Sequence, residues 1–251
     1  MNPTVWIRSS TRRSAGRSET AGATASHAGS KPRAAISWSG GKDSCAALAR
    51  ARTTLDVTAM VTMVDEQGAR SRSHGLRAEV LDAQADRLGL ARVTARCSWA
   101  SYDDAFSSAL ECIAGDGFTH VVFGDILFDE HRRWAERICA PHGLTAVEPL
   151  WGLSTTLLLE EWIASGAAAV IVTARAACLD QKWLGRKLDT DCLSEFARLG
   201  VDPCGERGEY HTVVTDAPLF ERPLRLRACG QVQRSDCWAL DVAMEDDARS
   251  A

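Results

Sequence analysis

The chain has 251 residues, 45% apolar and 25% charged, with a formal net charge of −4. That suits a soluble globular protein with one large domain or two modest ones, and the longest apolar stretch, near residues 167–174, falls well short of the roughly 20 residues that a membrane-crossing helix needs. The six bases and one acid of residues 1–33 leave −9 on the remainder, which argues against a stable nucleic-acid surface.

Residues 8–33 are rich in Ser, Arg, Ala, Gly and Thr and show no apolar periodicity, so residues 1–33 read as a disordered tail. An Arg-rich, acid-poor organellar leader is the alternative, and no apolar core of a secretory signal follows the basic residues. From residue 34 the chain alternates strand-like and helix-like runs. Strands are expected at 34–37, 57–64, 91–97, 119–123, 144–147 and 168–173. Helices are expected at 43–53, 77–88, around Phe106–Ile113, at 130–142 and at 155–165. Repeated strand–helix units with short connections specify an α/β fold, a doubly wound parallel sheet covered by helices. Beyond Asp180 the pattern weakens to a helix at 191–198, a Gly/Glu-rich loop, and two strands joined by a turn at Gly230. Nine cysteines with irregular spacing and no C-x-x-C pair disfavour a zinc site or disulfide framework and suit a reducing cytoplasm.

The stretch ISWSGGKDSCAAL, residues 36–48, lies between the first strand and the first helix. In an open parallel sheet, ligands bind beyond the C-terminal strand ends. Gly40 and Gly41 let the backbone approach a ligand, and loop amides at a helix N-terminus favour an anion. Lys42 adds a charge, and Ser39 and Ser44 add hydroxyls. The spacing is neither that of a Walker A loop nor that of a dinucleotide turn.

The hexapeptide Ser39–Ser44 resembles the PP-loop of ATP pyrophosphatases. Later segments resemble, in order, the diphthine–ammonia ligase family and its adenine-nucleotide α-hydrolase-like relatives. They are SRSHGL (71–76), GDILFDEHRRWAERIC (124–139), EPLW (148–151), LGRKLD (184–189) and DPCGERGEYHTVVTDAPLF (202–220). The Ala- and Arg-rich composition suggests a bacterial member. The resemblance implies a HUP-like nucleotide-binding domain at 34–150 followed by a smaller substrate-site domain at 151–244; the end, 245–251, reads as frayed.

It implies an enzyme that uses ATP and Mg²⁺ to adenylate a carboxylate, on a small molecule or a protein side chain, for attack by ammonia. Ser39, Gly40, Gly41, Lys42, Asp43, Ser44, His74, Gly124 and Asp125 would hold the nucleotide, with Asp125 also on the magnesium. Lys42, Glu206, Glu209 and His211 would be catalytic. Arg186, Glu206, Glu209, Tyr210 and Thr212 would hold the substrate. Trp151 and Trp183 are further pocket candidates, and Cys204 is the cysteine nearest this chemistry. The alternatives are a PP-loop tRNA-modifying enzyme, which the acidic body disfavours, and a non-catalytic adenine-nucleotide sensor.

Overall fold

The computed structural model describes residues 4–7 and 30–245. Most of the 1–33 segment read as a tail, and all but the first residue of the 245–251 end, lie outside the described residues. Within the former, Thr4–Ile7 is a strand, β1.

Five parallel strands form the centre of the first sheet: β2 (Arg33–Ser37), β3 (Asp56–Val64), β4 (Ala91–Arg96), β5 (His120–Val122) and β6 (Thr145–Val147). The strand order is β1-β4-β3-β2-β5-β6, with β1 antiparallel to β4. The chain winds outward from β2 in both directions, so the switch point lies between β2 and β5.

The helices divide between the two faces. Leu48 of α1 (Lys42–Ala51) and Leu81 of α2 (Ala78–Leu88) pack with Ile36, Met60 and Val122. Phe106 of α3 (Tyr102–Gly115) and Ile138 of α4 (Asp129–Cys139) pack with Val61, Val93 and Phe123 on the opposite face. Successive strand residues therefore feed opposite cores, as a sheet buried on both sides requires. The expected doubly wound α/β fold is what forms.

After α5 (Thr155–Ala164), β7 (Ala168–Arg175) opens a second sheet, antiparallel and ordered β8-β7-β10-β9. Its other strands are β8 (Tyr210–Asp216), β9 (Leu226–Arg234) and β10 (Cys237–Met244). Asp189 caps α6 (Thr190–Leu199) by accepting the Cys192 amide at 2.9 Å. Ile171, Tyr210, Val213 and Val242 join the same core as α1 and α2, so the two sheets share one apolar interior. Among the described residues, no helix is long and apolar enough to cross a membrane.

Two expectations need correction. The Gly/Glu-rich loop runs directly into a strand, β8, whose Thr212, Val213 and Val214 are buried. The last hairpin does not turn at Gly230. That glycine, at φ +146°, lies within β9 and pairs with Asp241 next to a bulge that leaves Cys229 of β9 as the extra residue. The turn falls at Ser235–Asp236, with Ser235 in the left-handed region.

Asp241 of β10 ties this hairpin to the segment after β3. It accepts from Arg70 at 2.9 Å and from Arg77 at 2.6 and 3.0 Å. The Arg77 hydrogen bonds, and then Arg70, hold its carboxyl well below the ordinary range. A depressed carboxylate stabilises the fold above about pH 4 and loses that effect as pH falls through its folded value. Asp241→Asn should therefore lower stability by about 1 kcal/mol at pH 7. In urea titrations across pH, that gap should close in acid.

Candidate active site

The glycine turn sits where β2, β3 and β5 end. Gly40 has φ +88°, and a Cβ there would meet Leu76 at 2.5 Å. A Cβ on Gly41 would meet His74 at 2.4 Å. Both positions thus exclude a side chain on space, and Gly40 on conformation as well. Gly124 packs its Cα on the first turn of α1, where a Cβ would come within 3.0 Å of the Asp43 and Ser44 backbone.

The turn is fastened to the second sheet. The Gly40 carbonyl accepts the Val214 amide at 2.9 Å and Gln84 Nε2 at 3.0 Å. The Lys42 amide donates to Thr212 Oγ1 at 3.1 Å. The Lys42 ammonium, with its side chain only 5% exposed, donates to the Cys204 carbonyl and to Asp43 at 2.9 Å, and lies 5.0 Å from the Tyr210 ring centroid. Burial opposes its charge, but Asp43 and its other neighbours prevail and hold it above the ordinary lysine range. Gly41, the N-cap of α1, has no side chain to bond the first-turn amides. The N-terminus of α1 thus keeps the anion-favouring end of its dipole uncapped by the preceding residue.

A cavity of about 670 Å³ opens above this turn. Its wall includes Ser39, Lys42, Asp43, Ser44, His74, Gly124 and Asp125 from the first half, and Glu206, Tyr210, His211 and Thr212 from the second. Gly40 and Gly41 shape the turn without appearing on the wall. The cavity bridges the two expected domains, so neither sheet makes it alone.

His74 and His211 stack with ring centroids 4.6 Å apart. His74 Nδ1 donates to the Thr212 carbonyl at 2.9 Å, which fixes its tautomer and leaves Nε2 an acceptor. Burial pushes His74 down to about 4 and His211 to about 3. Both rings are neutral at pH 7. Asp125 instead meets His131 Nδ1 at 3.0 Å, and that hydrogen bond raises the His131 value. Burial, then the charge of Asp43, pushes Glu206 up to about 7. Glu148, behind the wall, is pushed to about 7 by burial and then Asp125, and its Oε1 is buried without a partner.

Two expected site residues lie elsewhere. Glu209 is buried and accepts the Asp202 and Arg207 amides at 3.2 and 3.0 Å; it braces the loop from within. Arg186 pairs with Glu195 at 2.7 Å and covers the Trp183 ring. It is turned toward α6, away from the cavity. Trp183 stacks on Phe196 in the core, and Trp151 lies beside Arg132, so neither lines the cavity. Cys204 does line it, yet burial pushes its thiol up to about 12, a poor nucleophile.

The sequence reading missed an aromatic wall of Trp38, Trp99, Tyr102, Phe123 and Trp134, together with His131. The discoverable signal was position: Trp99 and Tyr102 directly follow β4, and His131 opens α4 after β5. Such a wall suits a flat base.

Among the described residues no group of three or more His, Cys, Asp or Glu forms a ready-made metal site. Magnesium carried on phosphates needs only one or two protein carboxylates. Asp43, Asp125 and Glu206 provide that donor type, and their mutual repulsion, evident in the raised Glu206 value, is what a cation would relieve.

The diphthamide synthase N-terminal domain family matches residues 32–146, and the diphthamide synthase C-terminal domain family matches residues 154–246. A diphthine–ammonia ligase of Rattus norvegicus is 33% identical over 141 residues, 55% of this chain and 53% of that protein. One of Mus musculus is 31% identical over 152 residues, 59% of this chain and 57% of that protein. One of Schizosaccharomyces pombe is 34% identical over 106 residues, 41% of this chain and 18% of that protein. The matches thus span little more than half of the rodent relatives' length, and far less of the yeast one's.

A carboxyl raised from 4.5 to about 7 supports the fold below about pH 4.5 and loses that support as pH rises through 7. In the ligand-free protein, Glu206→Gln should therefore melt at a higher temperature than the native chain at pH 8. The two should converge below about pH 4.5 in scanning calorimetry.

Proposed function

Because the chain belongs to the diphthamide synthase family, we propose that it is an ATP-dependent ligase that makes an amide from a carboxylate and ammonia, with release of AMP and pyrophosphate. The relatives are named for joining diphthine and ammonia, and the reaction class and nitrogen source are carried over from them. The observation that carries the reading is one cavity at the switch point of a parallel sheet, lined by the start of α1, which its N-cap glycine leaves without a side-chain cap, by a buried lysine and by carboxylates from separate elements.

In this reading the phosphates lie on the first-turn amides of α1, with Ser39 and Ser44 as hydroxyl donors. The base lies along the aromatic wall. A carboxylate oxygen of the acceptor bonds to the α-phosphorus as the bond to the bridging oxygen breaks, and that electron pair leaves with pyrophosphate. Lys42, fixed beneath the loop, stabilises the charge that develops there. Ammonia then bonds to the acyl carbon, the bond to the AMP oxygen breaks, and the amide nitrogen loses a proton. Glu206, poised near neutrality, is suited to accept that proton.

Asp125, with Glu206 or Asp43, would hold magnesium, whose chemistry is to neutralise phosphate charge. His131 orients Asp125 through their 3.0 Å contact. His74 and His211, as neutral rings, pack the floor without adding charge. Glu209 acts at one remove, by holding the 202–209 loop in shape.

The test is the fate of ATP labelled at the α-phosphate, incubated with the protein, Mg²⁺, ammonium and a cell extract as the source of acceptor. Labelled AMP with pyrophosphate is expected. Lys42→Ala should abolish it, and Asp125→Asn should lower it at least about tenfold and raise the magnesium concentration required. ADP as the product, or ATP binding without cleavage, would overturn the ligase reading.

A further inference from the structure

A second cavity, of about 320 Å³, adjoins the first. The segment after β3 forms one side, with Arg70 and Arg72. The β9–β10 hairpin forms the other, with Arg234 and Leu240. The two cavities share Ser73, His74 and Trp99 as a partition. A third cavity, of about 230 Å³ between α1 and α5, shares no wall residue with the first. An acceptor must reach the α-phosphorus, so the adjoining cavity is the one placed to deliver it.

Charge in this second cavity is unbalanced. Asp241 is already engaged by Arg70 and Arg77. Asp65 accepts the Ala69 amide at 2.7 Å. Arg72 and Arg234 take part in no ion pair among the described residues. The Arg72 backbone is pinned by its amide to Met63 O at 2.9 Å. Its guanidinium carbon stands 4.6 Å from the ring centroid of Trp99, and its Nε is buried without a partner. A desolvated guanidinium N–H lacking an acceptor is costly unless an anion completes it. Trp99, 66% exposed, is held between Arg72 and Tyr102 at the boundary of both cavities.

We propose that this second cavity binds the carboxylate-bearing acceptor, with Arg72 and Arg234 holding the carboxylate beside the His74–Trp99 partition. The proposal rests on the ligase reading and moves the acceptor away from Arg186 and Glu209, which are engaged elsewhere. Arginine keeps the carboxylate ionised, the more nucleophilic form for attack on phosphorus.

The test is protection from phenylglyoxal, an arginine reagent, mapped by mass spectrometry on the full chain. The probes are N-acetyl-glutamate N-methylamide and, as a separate arm, a Gly/Ser decapeptide with one central glutamate. Millimolar probe should slow modification of Arg72 and Arg234 at least about fivefold, while Mg·ATP alone leaves them reactive. Protection by both probes assigns a side-chain carboxylate that a protein can present; protection by the capped residue alone assigns a small free acid. No protection by either probe overturns the proposal. So does equal protection by Mg·ATP, which would make the cavity part of the nucleotide site. The double variant Arg72→Gln/Arg234→Gln should weaken probe binding at least about tenfold, with ATP affinity measured beside it as the check on folding. Unchanged probe binding in that variant also overturns the proposal. ATP cleavage without protection would defeat the acceptor site alone; protection without ATP cleavage would defeat the ligase reading alone.

Discussion

The Lys42 ammonium is buried between two halves of the chain, and the rest of the site depends on its position. It belongs to the turn after β2, but a carbonyl from residue 204 and the ring of Tyr210 enclose it. Burying a cation is unfavourable unless its hydrogen bonds are met. Here the partners come from both halves of the chain, so docking the sheets and forming the glycine turn are one event. The Thr212 hydroxyl on the Lys42 amide, and the Val214 amide on the Gly40 carbonyl, extend the same seam. The absence of side chains at Gly40 and Gly41 makes the seam close enough to form.

Around this buried cation the polar groups are arranged by sign. The two histidines nearest the turn are neutral, so they add no positive charge beyond that of Lys42. The carboxylates stand on separate elements, Asp43 on α1, Asp125 after β5 and Glu206 on the 202–209 loop. Burial first, and then the charge of Asp43, raises the Glu206 value. An anionic ligand that brings a divalent cation would satisfy both sides of such a cavity, with its phosphates on the turn and its metal on the carboxylates.

The sheet and its helices were legible because their residues obey simple periods. Ile36, Met60 and Val122 face one way while Ala35, Val61 and Val121 face the other, and the PP-loop resemblance located the turn between them. β8 was not legible, because Tyr210–Asp216 follows a loop whose glycines and glutamates dominate the local composition. The last hairpin misled for a related reason: Gly230 is the obvious turn former, yet it serves a bulge, while Ser235 takes the positive φ. Arg186 and Glu209 show where composition runs out. A charged residue next to a glycine reads the same whether it lines a cavity or braces a loop, and only its partners, Glu195 for one and two backbone amides for the other, decide. Trp99 had only its place after β4 to mark it, and Trp134 sits within α4, where an aromatic residue at helical spacing reads as core.

The seam between Gly40 and Val214 also has a consequence for how the protein is made. Residues 40 and 214 lie far apart in the chain, and the ribosome emits the first well before the second. Until β8 has emerged, the Gly40 carbonyl lacks its Val214 partner and the Lys42 ammonium lacks the Cys204 carbonyl and the Tyr210 ring. The β2–β6 sheet can begin to pack during synthesis, as domains do from the N-terminus, but the glycine turn after β2 has no finished shape at that stage. Its completion waits on the closing of long-range contacts that are intrinsically slow to form.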